Sequence, residues 1–154
     1  MNRQRGVVLL LALVLSMLLG LLAASALRDA VTATRMTGYL SDSLLALEQA
    51  EQALQAGHGE LQRAPPDSCK ACLPPTRPHD LGGQWQRAPT GFFQLQNLGT
   101  SNGAAHMPPG QQVTLFRVTA VSLDTQPRHV LEAVYAVVGD QTQRITWRQR
   151  ARGD

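Results

Sequence analysis

The stretch VVLLLALVLSMLLGLLAASAL, residues 7–27, decides the architecture of this chain. It is 21 residues without a charge, and only Ser16, Gly20 and Ser25 interrupt its apolar character. As an α-helix it would be about 31 Å long, which matches the hydrocarbon core of a bilayer. Arg3 and Arg5 stand in front of it. Basic residues there favour a cytoplasmic N-terminus, with the remainder of the chain on the far side of the membrane. Three readings fit such a run. A cleaved secretory signal is one, since Ala24-Ser25-Ala26 has the form of a cleavage site, but the run exceeds the usual signal core of roughly 7–15 residues. A plain single-pass anchor is the second. The third is a short leader, residues 1–6, cut before the run so that the run stays in the mature protein.

The residues beyond the run favour helical continuity. No proline occurs before Pro65, and all 9 prolines lie between Pro65 and Pro127. Met36, Leu40, Leu44, Leu47, Ala50 and Leu54 recur at steps of three and four, the apolar stripe of an amphipathic helix. Asp42, Gln49, Gln52 and Gln55 occupy its other face. Gly57-His58-Gly59 supplies a stop signal. One helix over residues 7–57, membrane-spanning over 7–27 and amphipathic beyond, is therefore expected.

This arrangement resembles the type IV pilin family and, within it, the PilX-type minor pilins. The residues that carry the resemblance are Arg3-Gln4-Arg5-Gly6-Val7-Val8-Leu9, Arg35-Met36-Thr37-Gly38-Tyr39-Leu40-Ser41-Asp42, and the run from Leu44 to Leu54. They cover about the first third of the chain. The resemblance implies cleavage by prepilin peptidase after Gly6, with Val7 as the mature, N-methylated first residue. It implies a protein held in the inner membrane, N-terminus cytoplasmic and outer domain periplasmic, that later assembles at the pilus tip. Its partners would be other minor pilins, the major pilin and a tip adhesin, and it implies neither catalysis nor a cofactor. Two positions depart from the family: Val7 stands where Phe is common, and Leu11 stands where the fifth mature residue is usually Glu. Within the family the alternative is a tip pseudopilin of a type II secretion system. Outside it, the alternative is a membrane-anchored periplasmic binding module.

Residues 58–154 read as a loop-rich β domain. Pro65-Pro66, Pro74-Pro75, Pro78 and Gly82-Gly83 mark loops, with Trp85 as a candidate anchor. Strands are predicted over Phe92–Leu98, Val113–Leu123, Arg128–Val138 and Gln143–Trp147. The expected fold is α+β, with a three- or four-stranded antiparallel meander covered by the stripe from Met36 to Leu54.

Charge excludes a general nucleic-acid binder. The chain carries +3, yet from residue 28 onward 12 basic side chains face 11 acidic ones, a balance of +1. Arg144, Arg148, Arg150 and Arg152 cluster near the end and read as a solvated edge or tail. Cys69 and Cys72 are the two cysteines. A zinc site needs four ligands, and only His58 and His79 are near. A redox CxxC needs to open a helix within a βαβ unit. The proline-rich surroundings favour a local disulfide formed in an oxidising compartment. No spacing points to a nucleophile or a metal site, and the terminal Arg152-Gly153-Asp154 is weak ground for an adhesion motif.

Overall fold

The structure, a computed structural model, describes residues 3–69, 73–123 and 127–152, with side chains from Val7 onward. Asp124 to Gln126 and Gly153-Asp154 lie outside these residues. The chain divides into two units, Met1–Ser41 and Asp42–Asp154. One helix, α1 (Arg3–Arg63), contributes to both.

The first unit is helix alone. It is long and apolar enough to span a membrane. Its leucines and valines from Val7 to Leu27 are exposed. Its hydroxyls turn inward: Ser16 and Ser25 donate to the carbonyls of Ala12 and Leu22, at 2.8 Å each. A helix in hydrocarbon needs its polar groups satisfied within itself, and these are.

The second unit is a sheet between two covers. Five antiparallel strands follow chain order as a meander: β1 (Gln86–Ala88), β2 (Gly91–Ser101), β3 (Val113–Ser122), β4 (Val130–Val138) and β5 (Gln141–Arg150). The α+β class and antiparallel meander are as expected. A further short strand, β1, arises inside the segment read as loop, where three residues pair back onto the start of β2. Alternation along β2 to β4 sends Phe93, Phe116, Val118, Ala120, Leu131, Ala133 and Tyr135 to one face. There they join Ala50, Ala53, Leu54 and Leu61 of α1 in the core.

Two sequence expectations about α1 change. The sheet is not covered from Met36: Met36, Leu40 and Leu44 are exposed, Leu47 is half-buried, and burial begins at Ala46. Periodicity marks an apolar stripe but does not say what covers it. Nor does α1 stop at Gly57; it continues to Arg63. Gly57 is buried inside the helix, where a Cβ would lie 2.6 Å from Val118 Cγ1 and 3.1 Å from the Phe93 ring. Close approach, not termination, is what that glycine provides. Gly91 serves the same purpose across the interface, since a Cβ there would strike the Val121 carbonyl oxygen and meet Ala53.

The opposite face of the sheet is covered by the proline-rich segment. Gln96 donates to the carbonyl of Leu73 (2.9 Å), Gln94 to that of Gln84 (3.1 Å), Arg150 to that of Pro75 (2.9 Å) and Arg128 to that of His79 (2.8 Å). Beneath it lies a buried carboxylate, Glu132. Arg148 approaches it at 2.8 Å, Arg117 at 3.8 Å and Arg150 at 3.9 Å. The arginines of β5 are thus not all a solvated edge: Arg150 is buried, because the segment Leu73–Pro78 roofs the face it occupies.

Candidate functional site

The residues singled out from sequence do not converge. Gly6, Val7 and Leu11 lie in the first turns of α1, with Val7 and Leu11 exposed. Leu54 is in the core, and Met36, Leu40 and Leu44 present apolar surface. Cys69 Sγ lies 3.0 Å from the Asn97 carbonyl oxygen, beside a parallel bridge between Ser68 and Asn97. Cys72 lies outside the described residues, and with it the Cys69–Cys72 pairing. Trp85 is half-buried and donates to the Gly82 carbonyl at 3.1 Å, within its own loop. Among the described residues no group of three His, Cys, Asp or Glu side chains could hold a metal ion.

What the sequence did not reveal is a groove between α1 and β5. Glu51, Leu54, Gln55 and His58 line one wall, at the i, i+3, i+4 and i+7 spacing of a single helical stripe. Tyr135 of β4 and Thr142, Arg144 and Trp147 of β5 line the other. The groove encloses about 700 Å³ and is open to solvent.

A bulge builds the second wall. Ala133 pairs with Trp147 and Val134 with Thr146, but Tyr135 pairs with Arg144, leaving Ile145 as an extra residue. In an unbroken strand, residues three apart point to opposite faces. The extra residue brings Arg144 and Trp147 to the same one, which is how bulges re-aim side chains. Glycines and prolines mark turns in a sequence, but β5 carries no such signal at Ile145.

The groove floor is aromatic and electrostatically defined. His58 stacks on Tyr135 with ring centroids 4.6 Å apart and planes 7° from parallel. Burial, and then the Arg144 guanidinium, lower the His58 pKa below its ordinary 6.5, which favours the neutral imidazole. Burial raises the Tyr135 pKa, while the nearby Arg144 guanidinium opposes that shift. At the other end of the sheet His129 is held between Ser43 (3.0 Å) and Gln149 (2.6 Å), which ties β4 and β5 to α1.

No family model, curated protein or solved structure matches the chain.

Proposed function

We propose that the chain is a PilX-type minor pilin that primes type IV pilus assembly and sits at or near the fibre tip, with no catalysis of its own. The observation that supports this reading is one continuous helix with two kinds of surface. Its first part, from Val7 to Leu27, is exposed and apolar, and its distal part, from Ala46 to Leu61, is buried under an antiparallel meander. A signal peptide or simple anchor has no need of that continuity. On this reading prepilin peptidase cuts after Gly6, Val7 becomes the mature N-terminus, and the inner membrane holds the helix until assembly. Other minor pilins, the major pilin and a tip adhesin are the partners. Cys69 and Cys72 close a small disulfide loop in the periplasm.

Leu11 bears on position in the fibre. An ammonium group at the mature N-terminus is costly in hydrocarbon unless a carboxylate pairs with it, on the order of several kcal/mol. A subunit carrying Leu11 has no carboxylate there to offer a predecessor. Placed first, it has no predecessor, and its own amine can be met by the Glu of the next arrival.

Mass spectrometry of the mature protein and of sheared fibres tests this. The expected result is a start at Val7, with a copy number far below that of the major pilin. A start at Leu27 would sink the pilin reading in favour of a secreted domain, and a copy number in sheared fibres comparable to that of the major pilin would sink the tip position.

A further inference from the structure

The groove between α1 and β5 has the chemistry of a carbohydrate subsite, and we propose that it binds a neutral oligosaccharide, with the Trp147 indole as the stacking platform. The inference does not depend on fibre assembly.

Volume comes first. About 700 Å³ falls within the roughly 300–1,000 Å³ of clefts that hold small ligands. It is a cleft with one large aromatic on its flank, and Trp147 remains 44% exposed although its strand position faces α1. An indole face is electron-rich, and the axial C–H groups of a pyranose ring carry partial positive charge. The two surfaces are complementary in shape and in sign.

The rim supplies what hydroxyl groups require. Glu51 and Gln55 project from successive turns of the helical wall, and Thr142 and Arg144 from the strand wall. A carboxylate, an amide and a guanidinium are planar groups that can each engage two neighbouring hydroxyls, and the charged ones make the stronger bonds. The rim's two ionic side chains are of opposite sign, so the groove favours a neutral polar ligand over an anion. Arg144 stands directly opposite Tyr135 across the β4–β5 pair, which places its guanidinium beside the phenol. The bulge at Ile145 is the second independent sign of a built site. It places Trp147 and Arg144 side by side, and the core interface along β4 does not require that arrangement.

The test uses the full chain in a zwitterionic detergent free of sugar. Trp85→Phe leaves Trp147 as the sole indole, since the chain has 2 tryptophans. Chitotriose, cellotriose and maltotriose are titrated while its emission is recorded. The expected result is a saturable blue shift with at least one trisaccharide, half-complete in the millimolar range. Saturation-transfer NMR on the sugar protons then reads binding in variants. Glu51→Ala should weaken it about tenfold, and Trp147→Ala should abolish it. Both side chains are exposed, so circular dichroism and melting temperature should stay at wild-type values. No saturable response to any of the three sugars would overturn the proposal. So would binding that survives Trp147→Ala, or a response to inorganic phosphate that sugars do not match.

Discussion

Replacing Gly57 by Ala tests how closely α1 lies on the sheet. The new Cβ would stand 2.6 Å from Val118 Cγ1 and 3.1 to 3.2 Å from two atoms of the Phe93 ring. Van der Waals contact needs about 3.5 Å or more, so Val118 would have to retreat by close to 1 Å. It cannot do so easily. Val118 is fully buried on a central strand, and its branched side chain has few rotamers. Overpacking of this kind costs about 2–3 kcal/mol, the upper part of its usual range. Ala gains about 1 kcal/mol over Gly in helix propensity, which leaves a net loss of about 1–2 kcal/mol. Gly59 is the control, since it lies in the same helix with nothing within 4 Å of its added Cβ. Gly59→Ala should keep the propensity gain and stabilise by about 0.5–1 kcal/mol. The difference between the two variants is then about 1.5–3 kcal/mol. At about 4 °C per kcal/mol for a unit of this size, that is a separation of about 6–12 °C in Tm. Thermal unfolding in detergent, followed by near-ultraviolet circular dichroism, measures it. Adding Val118→Ala to Gly57→Ala should recover about 1 kcal/mol or more relative to additivity. Two glycine variants melting together would refute the close-packing argument.

Two further predictions concern charge. Glu132→Ala removes the buried carboxylate shared by Arg117, Arg148 and Arg150 and should destabilise by about 3–5 kcal/mol. Arg148→Ala, at a side chain 58% exposed, should cost at most about 1 kcal/mol; equal losses in urea titrations of the two would contradict the buried-cluster account. The pKa values of His58 and His79 are lowered, chiefly by burial. The unfolded chain therefore takes up protons first as pH falls below 6.5, so stability present above that value is lost as pH falls through the folded pKa values. Tm should drop between about pH 7 and pH 5. His58→Phe, which keeps a ring against Tyr135, should reduce the drop, and a drop of unchanged size would show that His58 has no part in it.

The features that were legible in the sequence are those that depend on local pattern. A proline-free apolar run leading into a stripe at steps of three and four announces a long helix, and apolar alternation with β-branched residues in the later segments announces strands. Burial was less legible, because it depends on what arrives from elsewhere. Met36 and Leu54 carry the same periodic signal, yet one is exposed and the other is core. Gly57 looked like a stop signal because its tertiary neighbours, Val118 and Phe93, are far along the chain. Arg150 looked solvated because nothing local says that Pro75 will lie over it. The groove was hidden for a similar reason: its wall needs an unpaired residue at Ile145, and a register shift leaves no compositional trace.

The order of the strands also sets the order in which the second unit assembles. Each strand pairs with the next in the chain. The hairpin of β4 and β5 closes over only Gly139 and Asp140, with Gly139 at a φ of 56°. Such contacts are local, so little loop entropy opposes them. Seating the distal part of α1 on the sheet is a different matter, since Gly57 meets Val118 across about sixty residues of intervening chain, where closure entropy is larger. The transition state for folding should therefore contain the β4–β5 hairpin and β3, with α1 still undocked. Substitutions at Ala50 or Ala53 would then leave the folding rate nearly unchanged and accelerate unfolding, whereas substitutions at Val130 or Leu131 would slow folding.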